Sequence, residues 1–137
     1  MFTKIMVPVD LEHTEQLSKS IEAAAGLSKQ HSAAICFVGV GSAAPTAISH
    51  NAEEYEEKLG AFAQEQAAEH GIDATSCAFF SHDLVTEVDD DLLKAVKETG
   101  ADLVVMASHV PNITDYVWPS NGGKIAANAN ASVFVVR

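Results

Sequence analysis

Apolar residues fall along this chain in two alternating textures: short continuous runs, and longer stretches in which they recur every three or four positions. The first run, Phe2-Thr3-Lys4-Ile5-Met6-Val7-Pro8-Val9-Asp10, is rich in β-branched residues and closes on a proline and an acid, as a buried central strand does. This is β1. Thr14 is placed to cap a helix α1, whose apolar positions Leu17, Ile21, Ala24 and Ala25 follow at helical spacing until His31 and Ser32 break the pattern. Ala33 to Val40 is again short and continuously apolar and reads as β2, with a surface loop expected from Gly41 to His50. Asn51 with Glu54 forms a capping-box pattern opening α2, whose stripe is Tyr55, Leu59, Phe62 and Gln66 and whose end is Gly71.

Ala74 to Phe80 supplies β3, and the polar break at Ser81, His82 and Asp83 leads into α3, which buries Val88, Leu92, Leu93 and Val96 and stops at Gly100. Asp102 to Ala107 is the cleanest strand, β4; residues 108–119 read as irregular, a weak helix α4 begins near Ser120, and Ser132 to Val136 forms β5. Strand and helix alternating at this spacing predict parallel strands joined by right-handed crossovers. The expected fold is α/β: a doubly wound, parallel five-stranded sheet in three α/β/α layers, strand order 3-2-1-4-5, forming one domain over residues 1–137. Sheets of this kind take ligands beyond the carboxyl ends of the strands, where the winding reverses, which here directs attention to Val9, Asp10, Ala107 and Ser108.

Composition narrows the partners. Nineteen acidic against eight basic residues give a net charge of −11, a field that repels nucleic-acid backbones and anionic membranes. A local nest of backbone N–H groups still holds a phosphate against such a field. Cys36 and Cys77 each lie in an apolar run, as buried free thiols of a reduced compartment do. No opening segment has the form of a secretory leader and no run reaches the ~18 apolar residues of a membrane span, so the expected location is cytoplasmic.

Four segments together resemble a family. Val7-Pro8-Val9-Asp10, Val105-Met106-Ala107-Ser108-His109, Ser120-Asn121 and Ser132-Val133-Phe134-Val135-Val136 match, in order and over the whole chain, the pattern of the universal stress proteins. Residues from Ala107 to Tyr116 look most like the branch that carries Ala-Ser-His-Arg-Pro and later Gly-Ser-Asn. The resemblance implies a regulatory module that binds ATP or AMP, with Mg2+ entering only together with the nucleotide. It places Asp10, after Pro8 and Val9, on the ribose hydroxyls and Val40 beside the base; Ala107, Ser108, His109, Val110, Ser120, Asn121 and Gly122 fall where the family wraps phosphate. It also implies a homodimer through the last strand, Ser132 to Val136, an edge whose unpaired backbone invites a second strand.

The departures concentrate at the phosphate end. Val110 replaces a small or basic position, and Pro119, which has no N–H, stands where the branch has glycine before Ser120, so a phosphate nest loses a donor. Gly122 and Gly123 with Lys124 offer a shifted nest; alternatively the two glycines only modify the start of a short helix. These departures keep a second reading open, a family member that has lost nucleotide binding and acts through protein contacts.

Other chemistry finds less support. His13, His31, His50, His70, His82 and His109 are scattered without metal-ligand spacing and read as surface or loop residues, His109 alone having positional interest. Glu87, Asp89, Asp90 and Asp91 suit the first turn of α3, where carboxylates complement the helix dipole. Ser108 lacks the surroundings of a nucleophilic serine, so neither catalytic residues nor a metal site are assigned. Trp118 beside Pro119 covers the cleft, joins a partner surface or simply packs an irregular segment.

Overall fold

A computed structural model describes residues 1–42, 44–46, 48–81, 88–108 and 121–137. Five parallel strands, β1 Lys4–Val9, β2 Ala34–Ser42, β3 Ala74–Ser81, β4 Leu103–Ala107 and β5 Ser132–Val136, form one sheet in the order β3-β2-β1-β4-β5, as the alternation of runs predicts. The helices are α1 Ser18–His31, α2 Ala52–His70, α3 Val88–Thr99 and α4 Asn121–Asn128.

The period-two alternation of β1 distributes its side chains to two cores. Ile5, Val7 and Val9 join Leu17, Ile21 and Ala24 and the α2 residues Tyr55, Leu59 and Ala63 on one face. Met6 joins Cys36, Val38, Leu92, Ala95, Val96, Val104, Met106 and Ile125 on the other, under α3 and α4. Helices α1 and α2 therefore share one face and α3 and α4 the opposite one, so the winding reverses between β1 and β4. Burial pushes both free thiols, Cys36 and Cys77, up from their ordinary range, in keeping with inert core cysteines.

The seam at this reversal is only partly zipped. Main-chain oxygens alternate, Thr3 accepting from Ala34 of β2 and Lys4 from Asp102 before β4, so the even-numbered residues of β1 face β4. Pro8 is thus turned to β4 and has no N–H to give it. The ladder between the two strands accordingly holds Ile5 with Leu103 and Met6 with Val104 and ends there, whereas β1 pairs with β2 out to Val9 and Gly39, and β4 with β5 out to Ala107 and Val136. Asp102 reinforces the amino end. Its carboxylate accepts from the main-chain N–H of Thr3 at 2.9 Å and of Lys4 at 3.1 Å and from the Thr3 hydroxyl at 3.0 Å. Burial raises the Asp102 pKa, but these hydrogen bonds outweigh it and hold the carboxyl below its usual range.

Local signals set most helix ends. The Asn51 side chain accepts from Glu54 N–H at 2.8 Å and the Glu54 carboxylate reaches back to His50 N–H at 3.1 Å, while Gly71 closes α2 in the left-handed region at φ 63°. Two expectations need correction. Thr14 is not a cap: it begins a 3-10 turn, Thr14–Leu17, preceded by His13, and neither this turn nor α1 has a side-chain cap bond at its start. Gly41 does not begin a loop, because β2 continues through Ser42, pairing Gly41 with Phe80 and Ser42 with Ser81.

Those late residues of β2 make room for an aromatic ring. A Cβ on Gly39 would overlap the Tyr55 hydroxyl, and one on Gly41 would press on Phe80 and Tyr55 at 3.1–3.2 Å, so both glycines let Tyr55 lie against the strand, edge-on to Phe80 with centroids 5.6 Å apart. Gly39→Ala is expected to destabilise the fold by about 1–3 kcal/mol through overpacking. Urea unfolding followed by far-UV circular dichroism checks this, an unchanged midpoint contradicting the packing described.

Candidate functional site

β1 delivers Asp10 to the open end of the seam. Pro8 and Val9 are buried, and Asp10, the first residue beyond the strand, is only 7% exposed. A buried carboxylate requires hydrogen bonds, and Asp10 finds them within its own turn. Its Oδ1 accepts from Glu12 N–H at 3.0 Å, its Oδ2 lies 2.8 Å from His13 Nδ1, and its carbonyl accepts from His13 N–H at 3.0 Å. The aspartate thereby closes an Asx-type turn and directs the chain into the 3-10 turn and α1, work the sequence had assigned to Thr14.

The imidazole is drawn into the same arrangement. The Asp10 bond raises the His13 pKa above its ordinary 6.5, partial burial opposes this, and the charges of Asp10, Glu12 and Glu15 add to the rise. Tyr55, over the end of β2, has its phenol pushed up by burial and then by the charges of Asp10 and Glu12. A small cavity of ≈ 30 Å³ opens beside Asp10, between the ends of β1 and β2; Glu12, Val40, Gly41, Ser42, Ile48 and Tyr55 contribute to its walls.

The structure thus brings Asp10 and Val40, the residues that the family resemblance singles out on β1 and β2, to one cavity. Ala107 and Ser108 end β4 on the far side of the divergence; Ala107 is buried in the same core as Val9, and Ser108 N–H is turned to β5, donating to the Val136 carbonyl at 2.7 Å. Neither is among the described residues lining the cavity. Asn121 and Gly122 form the first turn of α4, known here by their backbone. His109, Val110, Ser120, Pro119, Trp118, His82 and Glu87 lie outside the described residues.

Beside the shifted phosphate nest, Lys124 already has anionic neighbours. Lys124 Nζ lies 3.6 Å from Asp89 Oδ2 and 3.6 Å from Asp90 Oδ1, so its charge is engaged in tying α4 to the first turn of α3. The sequence reading missed His13 and Glu12. The spacing Asp10-x-x-His13 was the available signal, since one tight turn after a strand brings positions three apart together.

Comparison with known proteins places this geometry in context. The sequence model of the universal stress protein family matches residues 1–137. A universal stress protein from Archaeoglobus fulgidus superimposes with a TM-score of 0.71 at 16% identity, covering 100% of both chains. A second structure from that organism, solved in complex with dAMP, gives 0.69 at 15% identity over 98% of each chain. A universal stress protein solved in complex with cAMP gives 0.70 at 15% identity, over 99% of this chain and 97% of the other. At such identities the likeness establishes the shared fold.

If the His13 shift arises from Asp10, then Asp10→Asn returns the imidazole midpoint toward 6.5. For a histidine whose folded pKa is raised, the pair's contribution to stability is fully present below the unfolded value and is lost as pH rises through the folded one. NMR titration of the His13 ring, with urea midpoints measured across this window, checks both parts; a midpoint unmoved by the substitution contradicts the pairing.

Proposed function

The chain belongs to the universal stress protein family, and from that premise we propose that it is a regulatory module that weakly binds an adenine nucleotide, recognised chiefly through its nucleoside part. One domain, residues 1–137, carries this role, in the cytoplasm. The supporting observation is the buried Asp10 carboxylate at the unzipped end of the β1–β4 seam, sharing a cavity with Val40. A fixed carboxylate accepts from two vicinal hydroxyls, and the end of β2 offers main chain to a base edge. Binding requires the Asp10–His13 bond to give way and the walls at Ile48 and Tyr55 to part, because a cavity of ≈ 30 Å³ is far below the roughly 300 Å³ of a small-molecule site. The family members solved with dAMP and cAMP support the ligand class.

The phosphates contribute less in this reading. With Lys124 engaged by Asp89 and Asp90, a net charge of −11 opposes ATP, and Pro119 removes a donor from the family's phosphate loop; Mg2+ is expected only as the companion of a bound nucleotide. Calorimetric titration is expected to give similar weak affinities for adenosine, AMP and ATP, and a loss of roughly tenfold to a hundredfold in Asp10→Ala, the effect of removing hydrogen bonds to a charged group. Absence of binding by all three ligands, or an unchanged affinity in Asp10→Ala, contradicts the assignment.

A second reading, a dimeric interaction module without nucleotide, is favoured by the same closed turn, in which both Asp10 oxygens already have partners. Its contact surface, and that of a nucleotide-binding dimer alike, is β5, an edge strand with Phe134 46% and Val135 38% exposed. Val135→Pro, which removes an N–H that faces away from β4, is expected to convert a dimer to a monomer in light scattering, and an intact dimer contradicts pairing through this edge.

A further inference from the structure

The turn after β1 gathers three side chains with metal-ligand chemistry, only one of which the nucleoside reading uses. One ligand atom from each of Asp10, Glu12 and His13 lies within 4.8 Å of the others, and Asp10 Oδ2 and His13 Nδ1 are 2.8 Å apart. Bonds of roughly 2.0–2.2 Å to a zinc-like ion put neighbouring ligand atoms roughly 3–3.5 Å apart, so the set closes around an ion by a small motion of the outer Glu12 carboxylate.

Two independent features distinguish this group from the acidic run Asp89–Asp91. The buried Asp10 is held in place by Glu12 N–H, which fixes one carboxylate of the set beside the His13 ring. The adjoining cavity of ≈ 30 Å³, to which Asp10 and Glu12 both contribute, has room for about one water or ion. The Asp89–Asp91 run has no imidazole, and Lys124 already supplies a counter-charge to Asp89 and Asp90.

We propose that Asp10, Glu12 and His13 bind a divalent transition-metal ion of the zinc class. Two carboxylates and a neutral imidazole compensate a double positive charge, and the nitrogen donor favours such an ion over magnesium or calcium, which prefer oxygen throughout. The ion replaces the proton between Oδ2 and Nδ1, and three protein ligands leave a position for water. The site goes beyond the nucleotide reading and needs no nucleotide.

The test is calorimetric titration of ZnCl2 into the metal-freed full chain, with no nucleotide present, for the wild type, Glu12→Gln and His13→Ala. The expected result is one equivalent bound by the wild type and an affinity at least about tenfold lower in each variant. Glu12 is exposed, so Glu12→Gln keeps the test decisive should His13→Ala fail to fold. No zinc binding by the wild type, or wild-type affinity in either folded variant, overturns the proposal and assigns any zinc to other histidines. Adenosine titrated into the same metal-free wild type reports on the nucleoside reading separately, so failure of one is distinguishable from failure of the other.

Discussion

A missing amide proton governs the architecture around the site. Because Pro8 occupies the side of β1 that faces β4, the pairing ladder between the two central strands stops at Met6 and Val104, short of their carboxyl ends. The Asp102 carboxylate, bound to Thr3 and Lys4, reinforces the joined end. Each strand keeps its outer neighbour to the last residue, so the opening is confined to the place where the winding changes faces. That is where parallel α/β sheets receive ligands, and here one residue accounts for it.

Asp10 then bears two demands. As a carboxylate with little exposure, it is stable only with partners, and the turn supplies Glu12 N–H and the His13 ring. The same oxygens are what a ribose diol or a metal ion would seek, so anything that binds there competes with a contact that shapes the start of the first helix. In a chain with a large negative charge, His13 and Lys124 are both engaged by aspartates at the carboxyl side of the sheet. The environment therefore favours neutral or cationic ligands over polyphosphates.

Much of the framework was legible because it is written locally. The strands β1, β2 and β4, buried on both faces, produce nearly unbroken apolar runs, and all five strands were located to within two residues at each end. Asn51 with Glu54, Gly71 and Gly100 carry their own conformational reasons and ended helices where expected. Gly41 misled for an equally physical reason: glycine commonly marks a turn, yet here its missing side chain accommodates the Tyr55 ring from another element. Thr14 had the right chemistry for a cap, but the turn was already closed by Asp10, three-dimensional information that propensity lacks. His13 was overlooked for the same cause, since a scan for metal spacing weighs histidines against one another and not against the carboxylate one turn earlier.

The half-zipped seam also bears on how the molecule deforms. The β4–β5 ribbon and the β1–β2–β3 ribbon are each paired along their strands, and the ladder that joins the two ribbons is interrupted beyond Met6 and Val104. Force applied at the carboxyl end therefore meets fewer backbone bonds between the ribbons than within either of them. Proline's deficiency thus makes this seam the least backbone-bonded line in the sheet.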